Sequence, residues 1–238
     1  MHLYKNFLKM EIRFLQNERA LVMKDFLVIA DLHIGYEKTL EERGYKIPSM
    51  RKDFIERIKK LQKENKSRKL IILGDVKHTV PVATWDEKYE IPNFFKEMSG
   101  LFDRIIVIKG NHDGNIERMV HEKKVEIVPE LILEDFAFTH GHRYPTEKAM
   151  ECRTLVMGHI HPTFKIRDRT GTMHNYPCWV MGKIKKKKLE KYKNIKCENV
   201  LIVPSFNQLT TGYKGLSGPL AKAIKREAIY LLDLTKVM

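Results

Sequence analysis

Five apolar segments of this chain each end abruptly in a polar cluster rich in histidine, aspartate and asparagine. FLVIA at 26–30 runs into Asp31-Leu32-His33, and LIIL at 70–73 runs into Gly74-Asp75-Val76-Lys77-His78. IIVIK leads to Gly110-Asn111-His112-Asp113, FAFT to His140-Gly141-His142, and TLVM to Gly158-His159-Ile160-His161-Pro162. Short apolar runs bounded by turn residues read as buried strands. In open α/β sheets the carboxyl ends of strands line the ligand crevice, so all five clusters can converge on one spot. The chain has ten histidines, and seven of them lie in these clusters. A lone histidine after a strand is ordinarily a satisfied loop or core residue. Seven beside carboxylates and an amide are not accounted for in that way.

The rest of the chain predicts an α/β layer architecture in one domain spanning 1–238, with no internal repeat and no dividing linker. Opening strands are expected at 11–15 and 20–23. Ser49 precedes a helical stretch in which Met50, Phe54, Ile58 and Leu61 recur at spacings of three and four. A loop and a short helix are expected over 79–99, followed by a strand at 104–108. Three strands fall between 125 and 140, and others at 154–157, 163–167, 177–182, 199–203 and 228–233. Between the last pairs, a lysine-rich hairpin or loop excursion occupies about 183–198.

Composition narrows the function classes. The 43% of hydrophobic residues suffices for a sizeable core, which excludes wholesale disorder. The apolar runs are far shorter than the roughly 18 residues of a membrane-spanning helix, and the first residues carry no secretory pattern. Three scattered cysteines form neither a disulfide framework nor a thiolate metal site. A soluble cytoplasmic protein is the expectation. With 44 Lys+Arg against 30 Asp+Glu, the formal net charge is +14. Residues 51–69 hold nine basic and three acidic side chains, and residues 183–198 hold eight lysines and two glutamates. Such segments read either as a track for a polyanion or as a solvated helix face and loop.

The donor types point to a metal centre. Imidazole nitrogens with carboxylate and amide oxygens suit Mn²⁺ first, with Fe, Zn, Ni or Co admitted. The donors exceed what one ion needs, so two divalent ions sharing a bridging carboxylate fit better. Two ions roughly 3.5–4 Å apart are a standard means of activating water against a phosphate ester.

In this order, DxH, GDxx(D/H), GNHD, HGH and GHxHP resemble the motifs of the calcineurin-like metallophosphoesterases. The match runs from Asp31 to Pro162. The GDxKH variant and the DLHxGYE opening are most similar to archaeal phosphoesterases related to the SbcD nuclease and to bacterial ligase-associated DNA-repair phosphoesterases. The resemblance implies a four-layer α/β/β/α sandwich in which two mixed sheets are flanked by helices. It implies one metal held by Asp31, His33 and His161, a second held by Asn111, His140 and His159, and Asp75 bridging them. It further implies attack by a metal-bridging hydroxide, with His112 as the catalytic histidine. Many relatives carry an aspartate where His78 stands, so the partner orienting His112 is expected to be His78 or another residue such as Asp113. Asn111, His142 and Arg143 are candidate substrate contacts.

The resemblance and the basic balance together predict a phosphodiesterase of nuclease type, in a DNA-repair role, with nucleic acid as substrate. A small-molecule phosphoesterase acting on nucleotides, dinucleoside polyphosphates or phosphomonoesters is the alternative. A non-catalytic scaffold on the same fold is a third, weakened by the presence of every ligand position and of His112. A homodimer or a DNA-repair partner protein is compatible with either enzymatic reading, and no membrane partner is expected.

Overall fold

The computed structural model describes residues 12–210, 212 and 215–238. The opening residue of the first expected strand, Glu11, lies outside them, as do the N-terminal residues 1–10. The chain order is β1 (Ile12–Phe14), β2 (Leu21–Met23), β3 (Phe26–Ile29), α1 (Tyr36–Glu41), α2 (Arg51–Asn65), β4 (Lys69–Ile72), α3 (Trp85–Leu101) and β5 (Arg104–Ile108). There follow β6 (Val125–Val128), β7 (Glu130–Leu133), β8 (Phe136–Thr139), α4 (Glu147–Glu151), β9 (Thr154–Met157), β10 (Thr163–Arg167), β11 (Met173–Ile184), β12 (Asn199–Ile202) and β13 (Ile224–Leu231).

These strands form two mixed sheets. The first runs β1-β2-β3-β4-β5-β6, antiparallel up to β3 and parallel from there onward. The second runs β10-β11-β12-β9-β8-β7, with β13 also paired to β11. Its centre, β12-β9-β8, is parallel. A strand covered on both faces must be apolar at every position, and its alternate side chains enter different cores. Leu27 and Ile29 of β3 pack toward the helices, whereas Phe26 and Val28 enter the space between the sheets. Ile105 and Val107 of β5 part from Ile106 and Ile108 in the same way. Trp179 and Val156 meet the first sheet, while Val180 and Leu155 face outward into a third core.

The helical layer on the first sheet is made by α2 and α3. Phe54, Ile55, Ile58 and Leu61 form the buried stripe of α2, so its basic residues lie on the other face. The third helix, α3, is a full 17 residues rather than the short helix expected. It begins at a capping box in which Thr84 accepts from the Glu87 N–H while the Glu87 side chain accepts from the Thr84 N–H. Pro92 lies inside it and suggests a break in the sequence. An interior proline costs about 3 kcal/mol. Burying Ile91, Phe94, Phe95 and Met98 is worth roughly 1.5–3 kcal/mol each, so packing prevails.

The outer layer on the second sheet is thinner. It consists of the five-residue α4 and the lysine-rich excursion, whose Leu189 and Tyr192 are buried against Val180, Ile202 and Met150. The four lysines 185–188 are exposed. β11 extends from Met173 rather than 177, because its first half pairs with β10 alone at an exposed edge. Among the described residues no helix is long and apolar enough to cross a membrane.

Phe54 is fully buried between α2 and the first sheet, with its ring 6.0 Å from that of Phe206. Phe54→Ala should lower unfolding stability by about 3–5 kcal/mol, measured by urea denaturation with the m-value unchanged.

Candidate metal centre

The five polar clusters meet at the carboxyl ends of both sheets. Asp31 and His33 follow β3, Asp75 and His78 follow β4, and Asn111 and His112 follow β5. From the second sheet, His140 and His142 follow β8, and His159 and His161 follow β9. Asp31, His33, Asp75, His159 and His161 all have φ between 44° and 67°. Left-handed backbone at a non-glycine residue costs on the order of 1–3 kcal/mol and persists only where its surroundings enforce it. Here the turn aims the side chain back over the end of its own sheet.

The geometry forms two acid-histidine groups around a shared centre, with a third group of imidazoles, His33, His78 and His112, beside them. Potential ligand atoms of Asp31, His33 and His161 lie within 4.8 Å of one another, as do those of Asp75, His140 and His159. The His33 and His161 Nε2 atoms are 3.3 Å apart, and His161 Nε2 is 3.5 Å from Asp31 Oδ1. In the other group His140 Nε2 lies 3.1 Å from both His159 Nδ1 and Asn111 Oδ1. Asp75 Oδ2 stands between the groups, 3.6 Å from His33 Nε2 and 3.3 Å from His140 Nε2.

Backbone and side-chain hydrogen bonds fix these orientations. Asp31 accepts from the His159 N–H at 3.0 and 3.1 Å, which ties the first sheet to the second. The His112 N–H donates to Asp75 Oδ1 at 2.9 Å. The His140 Nδ1–H donates to the Leu73 carbonyl at 2.7 Å, which turns Nε2 toward the cluster. His112 Nδ1 bonds the main-chain carbonyl of His78. That contact was expected from the His78 side chain or from Asp113. The imidazole of His78 instead stacks beside His112 at 5.5 Å, with its Nδ1 3.4 Å from His33 Nδ1. Asp113 accepts from the Gly110, Val76 and Lys77 N–H groups and holds the two turns together. His142 packs its ring 5.2 Å from His140, and Arg143 is exposed at the mouth of an adjoining cleft.

The electrostatics follow from burying Asp31 and Asp75 with no lysine or arginine in ion-pair contact among the described residues, the buried Lys77 acting on Asp75 only at longer range. Burial alone would raise the Asp75 pKa. The hydrogen bond and charge of His140, with His33 behind, hold it well below the usual carboxylate range instead. Burial opposes charge on His140, but Asp75 and Asp31 outweigh it and lift the imidazole to about 9. His33, where desolvation prevails, falls to about 3. Uncompensated buried carboxylates ringed by imidazole nitrogens are the surroundings that a divalent cation satisfies, and the donor set has no thiolate. The residues therefore fit a pair of divalent ions. Asp31, His33 and His161 would hold one, Asn111, His140 and His159 the other, and Asp75 both.

Several supporting residues were not anticipated from the sequence. Ser205 Oγ donates to the Asp31 carbonyl at 2.8 Å, and Asn207 Nδ2 donates to the Leu32 carbonyl at 2.8 Å. Arg19 in turn donates to the carbonyls of Ser205 and Asn207. Glu87, fully buried, accepts from the N–H groups of His78 and Thr79 and sets the turn that carries the His112 acceptor. The run NVLIV followed by Pro204-Ser205-Phe206-Asn207 is a sixth strand with a polar end, the one available signal for the first pair.

Comparison with known proteins agrees with this geometry. Residues 24–197 match the family model described as calcineurin-like phosphoesterase, and the chain belongs to that family. Family and site together define a metal-dependent phosphoesterase. Among solved structures, the nuclease MPE of Pseudomonas putida is similar over 90% of this chain and 89% of its own, at 23% identity and a TM-score of 0.57. The phosphoesterase Yfce of E. coli is similar over 90% of this chain and 96% of its own, at 16% identity and a TM-score of 0.41. No curated protein sequence matches significantly.

Two outcomes follow. A Cβ at Gly110 would lie 2.1 Å from Asp75 Oδ1 and 2.4 Å from its backbone nitrogen. Gly110→Ala should therefore displace the Asp75 carboxylate and lower the number of ions bound per chain, measured by metal analysis after dialysis. The imidazole of His140 must lose its proton to accept a cation, and below about pH 9 it is protonated in the metal-free protein. Metal affinity should thus rise from pH 6.5 toward 9. Titration with Mn²⁺ at stepped pH checks this, and His140→Gln should flatten the rise.

Proposed function

We propose that this centre hydrolyses phosphodiester bonds of nucleic acid. The observation that carries the reading is the pair of acid-histidine groups sharing Asp75, with a tethered histidine, His112, beside them. Two divalent ions bound there, Mn²⁺ by preference, would supply an activated water and neutralise charge on the phosphoryl oxygens. The chain's own residues do the rest. With Nδ1 committed to the His78 carbonyl, His112 keeps Nε2 for the departing oxygen, to which it gives a proton. His33 stands 4.9 Å from the His112 ring, edge to face, and limits its swing. Asn111, exposed at the rim, offers an amide to the scissile phosphate, and Arg143, exposed further out, offers a guanidinium to the substrate beyond it.

The net charge of +14 and the exposed lysines of 183–198 support a polyanionic substrate. The fold shared with the Pseudomonas nuclease is consistent with it. A second reading, a phosphoesterase for nucleotides or other small esters, draws on the small size of the two clefts beside the cluster, about 230 and 250 Å³. Turnover by the metal-reconstituted protein on single- and double-stranded DNA, RNA, a model diester and a model monoester separates the two.

Activity should vanish on chelation and return more fully with Mn²⁺ than with Mg²⁺, because imidazole-rich sites bind the reluctantly dehydrating Mg²⁺ poorly. His112→Ala should keep its ions and lose turnover by about 10²–10⁴-fold on a nucleoside leaving group, but less on nitrophenolate. Since the His78 contact is made by main chain, His78→Ala should retain most of the proton transfer. A loss as deep as that of His112→Ala would show that the His78 imidazole itself takes part.

A further inference from the structure

Beside His140, on the outer side of the second sheet, a cleft of about 250 Å³ opens between the β8–α4 loop and the start of β7. Its lining is unusual in what it leaves unpaired. Thr139, only 5% exposed, has a hydroxyl without a hydrogen-bond partner, and both ring nitrogens of His142 are likewise buried and unpartnered. Buried polar groups are nearly always satisfied, so these atoms call for a partner such as a water, an ion or a ligand atom. The charged groups of the lining are mostly engaged: Lys109 pairs with Glu117, and Glu130 accepts from the Thr146 hydroxyl and N–H. Among the described residues Arg143 is the lining cation with no ion pair or hydrogen bond.

Next to it Tyr144 presents an aromatic ring 48% exposed. One side of that ring carries the Lys191 ammonium, 3.7 Å from the centroid, and Tyr192 stands edge-on to it at 6.4 Å. Tyr192 is itself fastened to this loop by donating its hydroxyl hydrogen to the Pro145 carbonyl at 2.7 Å. The lysine-rich excursion is thus docked directly against the cleft. A guanidinium, an exposed aromatic ring and the Lys191 ammonium beside it are what a single strand requires: phosphate contact, a face for an unpaired base, and positive charge for the backbone.

We propose that this cleft is the subsite for a nucleotide flanking the scissile phosphodiester of a single strand. Its phosphate sits on Arg143, its base on Tyr144, and its polar edge against the Thr139 hydroxyl and the His142 ring. This rests on the reading of the centre as a nucleic-acid phosphodiesterase, and it adds that the strand leaves the centre over the second sheet. A duplex cannot present an unstacked base to Tyr144, so single strands are preferred.

The test compares kcat/KM of the Mn²⁺-loaded wild type, Arg143→Ala, Tyr144→Ala and Tyr144→Phe on a single-stranded oligonucleotide and on bis(p-nitrophenyl) phosphate, which lacks a flanking nucleotide. Both alanine variants should lose about tenfold more on the oligonucleotide than on the small diester, with Tyr144→Phe near wild type because it keeps the stacking face. In binding titrations with the same strand, Arg143→Ala should also shallow the log–log salt dependence by about 0.7. Equal losses on both substrates, or none, with an unchanged salt slope, would overturn the subsite while leaving the phosphodiesterase reading intact. A wild type that cuts the small diester but no oligonucleotide would overturn the substrate class, and the subsite with it.

Discussion

Two carboxylates, Asp31 and Asp75, are buried where, among the described residues, no lysine or arginine forms an ion pair with them, and the architecture around them answers to that fact. A buried anion is tolerable only with hydrogen bonds and opposite charge close at hand. Asp31 receives the backbone N–H of His159, and Asp75 that of His112. Each otherwise faces imidazoles, and of these His140 is held in its charged form by the two carboxylates. The left-handed turns at Asp31, His33, Asp75, His159 and His161 are the conformational cost of this arrangement, on the order of 1–3 kcal/mol apiece. The fully apolar strands leading into those turns, packed on both faces, are what makes the cost bearable.

This is also why the centre was so readable in the sequence. A parallel strand sandwiched between two cores has to be apolar throughout, so its last residue is marked by an abrupt change of chemistry. FLVI before Asp31 and TLVM before Gly158 show the change to within a residue. Five such junctions identified the site residues as neighbours before any topology was known. Elements stabilised by packing alone were less legible. Helix α3 carries Pro92 and reads as interrupted, and only the burial of Ile91, Phe94, Phe95 and Met98 against the first sheet explains its length. The short α1 and α4 have too few residues for a helical period to register.

The supporting hydrogen bonds were the least visible. Ser205 and Asn207 act on a turn more than 170 residues earlier in the chain, and nothing local in Pro204-Ser205-Phe206-Asn207 shows which carbonyls it will meet. Glu87 was hidden for a different reason. In sequence it is the N3 residue of a capping box, yet the same carboxylate also accepts from His78 and Thr79. The orientation of His112 depends on that second task, since it places the His78 carbonyl. A side chain at position 78 can therefore change while the acceptor stays.

The bond between Asp31 and the His159 backbone has a mechanical meaning, because the two residues belong to different sheets. With Ser205 and Asn207 reaching from the second sheet to the Asp31 turn, the two layers are pinned at the metal-centre end by polar contacts; the packing of Trp179, Phe138 and their neighbours, the Lys24–Glu134 ion pair and the Asn17 N–H on the Leu232 carbonyl join them elsewhere. Close-packed side chains resist slippage of one layer over the other, and directed hydrogen bonds fix where it stops. The pin sits where the ions bind, so positional precision within the centre and alignment of the whole sandwich are a single property of this molecule. A shift of one layer against the other is therefore also a shift of Asp31 against the His159 turn.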